Sequence, residues 1–163
     1  MGSKRGRWLQ RFRLRLIRIY PPFLGAGIRV REMNLEGGLI RVRMKLHFWN
    51  GNYFGTHFGG SLYSMCDPFY VLLLAHRLGP DYIVWDKAAT IRFVRPGRGT
   101  VEATFRISDE EIDQIRHQAE TQSKVEPLLH VDVLNPEGEV VARVEKVLYV
   151  RKKKAPPATA AGD

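Results

Sequence analysis

From Ser61 to Ala75 the chain is apolar apart from Ser61, Ser64, Asp67 and Pro68. Such a run is too long for a typical strand and too short to span a bilayer, which predicts a helix buried on most sides. A helix with no wet face needs a wrapping, and the flanking sequence supplies one. Ile40, Val42, Met44, Leu46 and Phe48 alternate with Arg41, Arg43, Lys45 and His47, the pattern of a strand with one solvated face. Alternation returns at Val101, Ala103, Phe105 and Ile107, at Leu129, Val131 and Val133, and at Val140, Ala142, Val144, Leu148 and Val150.

Weaker candidates at 27–33 and 88–94 bring the count to about six strands in an antiparallel sheet. Asn135-Pro136-Glu137-Gly138 is a hairpin turn signal, and Pro127 marks the start of the fifth strand or an irregularity in it. The packing this predicts is α+β, with a six-stranded sheet curled around the apolar helix, which sits between the second and third strands. A second helix follows the fourth strand. There Ser108 and Glu111 have capping-box spacing, Asp109 to Glu111 suit a helix start, and Arg116 and His117 suit its end. It reads as a connector.

The chain has 163 residues, 44% of them apolar, enough for one domain with a real core. The only cysteine, Cys66, cannot form an internal disulfide, and no secretory or membrane-spanning pattern is visible, so a reducing, cytoplasmic setting is expected. The net charge of +9 is concentrated at the ends. Residues 1–20 carry +7, residues 151–163 carry +3, and the rest sums to −1. A nucleic-acid-binding domain would place its basic face on the folded core, so no nucleic-acid partner is expected.

The first segment, 1–20, reads as a basic amphipathic helix over 4–20. Trp8, Phe12, Leu16 and Ile19 lie on one stripe, Arg7, Arg11, Arg15 and Arg18 lie on another, and Pro21 and Pro22 end it. It is expected to pack on the domain at 21–151, with weak contact to an anionic membrane surface as the alternative. Residues 152–163 are basic and then rich in Ala and Pro, and read as a disordered tail.

Asp67 is the only acid in the apolar helix, and a carboxylate is costly to bury without a purpose or a partner. The structural alternatives are a pair with an arginine from the sheet or another subunit, and a side chain that reaches the surface between helix turns. Pro68 removes a helical hydrogen bond and predicts a kink beside that acid. Upstream, Gly59-Gly60 at the helix entry leaves backbone N–H groups open to a ligand, and these can hold a developing oxyanion. Phe54, Phe58, Tyr63, Phe69 and Tyr70 suit an apolar pocket and suit a core equally well. Cys66 has no cationic neighbour in sequence to activate it, and reads as core.

Asn52, Gly55, Gly59, Gly60 and Asp67 fall on the pattern of the hotdog acyl-CoA thioesterases of the phenylacetyl-CoA type, which the chain resembles. That pattern is Asn, a Gly three residues on, His-Gly-Gly, then Asp seven after the last Gly. Ile91 to Gly97, reading IRFVRPG, resembles the family's central strand and turn. Tyr20 to Gly27 and Asp81 to Lys87 resemble a bacterial hotdog subgroup grouped as a domain of unknown function. The resemblance spans about residues 8–151.

It implies a small-molecule acyl thioester as substrate and hydrolysis without metal or resident cofactor, coenzyme A entering only as part of the substrate. Asp67 and N–H groups near Gly60 would be the reacting groups, Asn52 would position water or thioester, and Ser64 would assist. One departure stands out. The family's histidine position is Phe58 here, and His57 lies one residue earlier, which changes where a side chain points. His57 is therefore a candidate catalytic or loop residue and Phe58 a candidate pocket wall beside Tyr63. Lys87, Arg92, Arg95 and Arg98 are candidates for the coenzyme A phosphates.

Seven helical residues separate Gly60 from Asp67, a rise of roughly 10 Å, too far for both to act on one carbonyl within one chain. The expected assembly is a C2 homodimer, alone or doubled into a tetramer, in which one protomer's Gly59 and Gly60 meet its partner's Asp67. Two alternatives stay open: a non-catalytic acyl-CoA or lipid-binding module, and a hydratase or dehydratase, which wants a His and acid pair.

Overall fold

The computed structural model describes residues 16–153. Six strands, β1 (Ile28–Asn34), β2 (Leu39–Lys45), β3 (Tyr82–Phe93), β4 (Thr100–Arg106), β5 (Leu128–Leu134) and β6 (Val140–Lys152), form one sheet in the order β1-β2-β4-β5-β6-β3. Every neighbouring pair is antiparallel. Period-two alternation decides what each strand buries. Ile40, Val42 and Met44 on β2, Val101, Ala103 and Phe105 on β4, and Val144, Leu148 and Val150 on β6 are all sealed from solvent. They close around Phe69, Leu73 and Leu74 of the apolar segment, with the Phe69 ring 5.0 Å from that of Phe105.

Pro68 breaks that segment into two helices, α2 (Gly59–Ser64) and α3 (Phe69–Leu78), rather than bending one. Two other expectations shift. The run from Ile40 to Phe48 leaves the sheet at Lys45, because Asn50 turns the chain: its Oδ1 accepts from the His47 N–H at 2.6 Å and its Nδ2 donates to the Lys45 and Ala26 carbonyls, both at 2.8 Å. Phe48 is consequently 96% exposed. At the other end, Lys152 is still part of β6 and Lys153 donates to the Asp81 carbonyl, so the last strand outruns the expected start of the tail.

Pro21 and Pro22 also do more than end a helix. Their fixed φ and missing N–H groups suit a first turn, and they open α1 (Pro21–Ala26), whose Phe23 packs on Phe69 at 5.9 Å. Of the amphipathic helix expected over 4–20, only its last residues are described, with a 3-10 turn at Ile17–Ile19; the rest, and the tail beyond Lys153, lie outside the described residues. Among the described residues no helix is long and apolar enough to cross a membrane.

α4 (Asp109–Thr121) runs past Arg116 and His117 because Ile112, Ile115 and Ala119 keep a buried stripe going. Its capping box is complete: Ser108 Oγ accepts from the Glu111 N–H at 3.1 Å and the Glu111 carboxylate accepts from the Ser108 N–H at 2.8 Å. Replacing Ser108 with Ala removes the acceptor of the Glu111 N–H and is expected to lower unfolding stability by about 1 kcal/mol, readable as a drop in the urea midpoint.

Candidate functional site

The corner between α2 and α3 is built by what its backbone can and cannot donate. The Cys66 N–H reaches the Tyr63 carbonyl at 2.8 Å and the Asp67 N–H reaches Ser64 at 3.4 Å, but Pro68 has no N–H to continue the ladder. The helix restarts only when Leu72 donates to the Pro68 carbonyl. Asp67 therefore stands at a corner, and its side chain is 48% exposed rather than sealed in the core.

Its partner is a lysine, not an arginine. Lys146, from the middle of β6, is fully buried and donates to Asp67 Oδ1 at 3.1 Å. Tyr63 donates to the same oxygen at 2.9 Å, and neither bond uses Oδ2. Lys146 Nζ also lies 2.8 Å from Asp86 Oδ1 on β3, an ion pair off the directional geometry of a hydrogen bond. Burial pulls the Lys146 pKa down, but its contacts with Asp86 and Asp67 outweigh this and the net direction is upward, so the ammonium is charged at neutral pH. Burial, aided by the bond to Asp67, pushes the Tyr63 phenol up. Cys66 is sealed beside them, its thiol raised to about 12 by burial, which fits a core residue and not a nucleophile.

At the other end of α2, Ser61 and Leu62 donate to the Phe58 carbonyl, which leaves the N–H groups of Gly59 and Gly60 without a backbone partner among the described residues. Both glycines lie under aromatic rings. A Cβ on Gly60 would come within 2.4 Å of the Phe58 ring, and one on Gly59 within 2.9 Å of the Phe93 ring. Phe58 is 57% exposed and forms a wall over this entry. Ser64 spends its hydroxyl on the Gly60 carbonyl at 2.8 Å.

Asn52 shapes the loop. Its Oδ1 accepts from the Phe54 and Thr56 N–H groups and its Nδ2 donates to Thr56 Oγ1 and the His57 carbonyl. His57 is buried, its N–H donating to the Gly97 carbonyl at 2.9 Å and its Nε2 lying 3.1 Å from the Gly99 carbonyl. It pins the loop to the turn before β4. Arg95 pairs with Glu139 and Lys87 with Glu126, while Arg92 on β3 and Arg98 before β4 are exposed.

What Asp67 does face is a cavity of about 530 Å³, bounded by Leu16, Ile17, Tyr20 and Phe23 on one side and by Tyr63, Ser64, Asp67 and Leu72 on the other. Among the described residues no group of three or more His, Cys, Asp or Glu side chains is placed to hold a metal ion.

Comparison with known proteins bears on the family and the fold. Residues 8–150 match the model of a domain of unknown function, DUF4442. The fold resembles a Pseudomonas aeruginosa protein of unknown function labelled a probable thioesterase, at 26% identity and a TM-score of 0.73, covering 85% of this chain and 95% of that one. It also resembles a Haemophilus influenzae thioesterase at 14% identity, with a TM-score of 0.63 over 88% and 92% of the two chains. A third is the E. coli PaaI protein of the phenylacetic acid degradation operon, at 19% identity and a TM-score of 0.61 over 91% and 94%. These neighbours share the hotdog fold. No curated protein matches the sequence.

Burial holds the His57 pKa below its ordinary 6.5, and the bond to Gly99 only partly opposes this. Unfolding therefore takes up a proton, and stability is expected to fall as the pH drops below about 6.5. Urea unfolding between about pH 5 and 8 should show this slope in the parent and a flatter one in His57→Gln, whose amide does not titrate.

Proposed function

The chain belongs to the DUF4442 family, a domain of unknown function, and from its site we propose that it is an acyl-CoA thioesterase. The observation that carries this reading is a half-exposed carboxylate in the wall of an apolar cavity. A thioester joins an apolar acyl group to a polar carrier across one reactive carbonyl. A cavity that takes the acyl group while Asp67 waits at its edge matches that division.

In the proposed reaction Asp67 takes a proton from water as the oxygen attacks the thioester carbon; if it attacks that carbon itself, the acyl–Asp67 anhydride left when the thiolate departs is hydrolysed by water, which supplies the proton. N–H groups at Gly59 and Gly60 stabilise the oxyanion, the C–S bond breaks, and the proton passes to the departing thiolate. Within one chain these groups lie at opposite ends of α2, so the site is drawn from two protomers. β3 supports that arrangement. It is the last strand of the sheet, and Trp85 and Phe93 on it are 71% and 55% exposed. Asp86 near its start leads through Lys146 to Asp67, and Phe93 at its end lies on Gly59. If β3 pairs with a second copy of itself, running antiparallel about a two-fold axis, the Phe93 end of one protomer meets the Asp86 end of the other. Each Asp67 then approaches the partner's helix entry.

A second reading, an acyl-thioester binder without turnover, is favoured by one feature: Phe58 stands where the resembled family has its histidine. The hydratase reading loses ground, because His57 is buried with its Nε2 on the Gly99 carbonyl and makes no hydrogen bond to Asp67 among the described residues.

Thiol release from a panel of acyl-CoAs tests the first reading. Asp67→Asn is expected to lower kcat by about 10²- to 10⁴-fold on whichever substrate the parent turns over. Parental rates in the Asn variant would remove Asp67 from the mechanism, and tight binding with no turnover by the parent would leave the binder. Light scattering should find two chains, or four, per particle; a monomer with full activity would rule out the shared site.

A further inference from the structure

The inward row of β6 reads Ala142, Val144, Lys146, Leu148 and Val150, every one buried. A lysine in the middle of such a row gives up the hydration of its ammonium, a large cost that needs close partners. Those partners come from two different elements: Asp67 at the corner between α2 and α3, and Asp86 on β3. A leucine or methionine would pack against Val144 and Leu148 and spare both carboxylates, and replacing buried ions by apolar groups is often neutral or stabilising. Folding alone therefore does not call for Lys146.

We infer that Lys146 and Asp86 are positioning residues for the hydrolysis proposed above: Lys146 and Tyr63 fix the Asp67 carboxylate through Oδ1 so that Oδ2 serves the thioester, and Asp86 balances the lysine. The inference rests on Asp67 as the reacting group. Two donors on one oxygen stop the carboxylate from rotating, which is what a base or nucleophile needs to meet a carbonyl at a set angle. The charges explain the second acid. One ammonium between two carboxylates leaves the cluster at −1, the charge of a lone carboxylate. Without Asp86, the lysine would neutralise Asp67 and weaken it as a base or nucleophile.

The test combines kinetics, thermal melts and the ¹⁵N signal of the Lys146 ammonium in the full-length protein. Lys146→Met is expected to lower kcat by about 10- to 100-fold, the range seen when outer partners of a metal's ligands are removed, with KM near the parent's. Lys146→Arg should recover part of the loss. Asp86→Asn, which keeps the lysine, should also lower kcat and should move the ammonium signal, as should Asp67→Asn. In the Asp67→Asn background, Lys146→Met should cost nothing further, because the group it positions is gone.

A parental kcat in Lys146→Met with Asp67→Asn inactive would overturn the positioning role and leave the thioesterase reading intact. So would a lower melting temperature at parental kcat, the mark of a merely structural pair. If Lys146→Met does not fold, a parental kcat in Asp86→Asn overturns the role instead. Full activity in Asp67→Asn, or no turnover by the parent, would remove the reading and this inference together, whatever the ammonium signal does.

Discussion

Pro68 has no N–H for the helix ladder, and much of the site's geometry follows from that missing donor. Had the apolar segment run unbroken, Asp67 would lie on a helix packed on most sides and would face the cost of full burial. Because α2 ends at Ser64 and α3 restarts at Phe69, the intervening corner brings Asp67 to the edge of the cavity while Met65 and Cys66 stay sealed in the core. The break also keeps α2 short, so the open N–H groups of Gly59 and Gly60 and the carboxylate of Asp67 terminate the same small element at opposite ends.

The sheet was legible because its information is local. Alternation of apolar and polar residues on β2, β4, β5 and β6 fixes which face turns inward, and the turn at Asn135 to Gly138 fixes one of the pairings. The early end of β2 is equally local. Leu46 and Phe48 continue the alternation perfectly, yet Asn50 captures the His47 N–H and takes the chain out of the sheet. Nothing at positions 46 to 48 themselves announces this, since the turn is imposed by a side chain that bonds to backbone from α1 and β2 at once.

The candidate site was legible in part, and the missing part left a trace. Asp67 stood out as an acid in an apolar run, and Gly59-Gly60 as an entry with exposed donors. Lys146 did not stand out, because a lysine in a strand is ordinarily read as part of the solvated face. Yet the alternation on β6 passes from Val144 to Leu148 and skips the position between them. A period of two that holds on both sides of a lysine requires that lysine to point inward, and an inward lysine requires acids. The carboxylates that answer it, Asp67 and Asp86, are far from it in sequence, so the pairing is a property of the fold.

β3 ties this polar cluster to the proposed assembly. Among the described residues it borders only β6, and a long open edge with exposed aromatic side chains is a template for another strand unless something blunts it. The bulge after Asp86 and the charge of Lys87 are devices of that kind, but Lys87 is held by Glu126 and the stretch from Ala88 to Thr90 carries no charge at all. The edge is blunted at one end and open in the middle, which is where a two-fold axis between identical antiparallel strands would pass. The strand whose open middle suits a second copy also carries Asp86, bound to the lysine that holds Asp67. In the proposed dimer, therefore, pairing along β3 and completion of the site are one event: the contact that joins two chains bears directly on the cluster that aims the carboxylate.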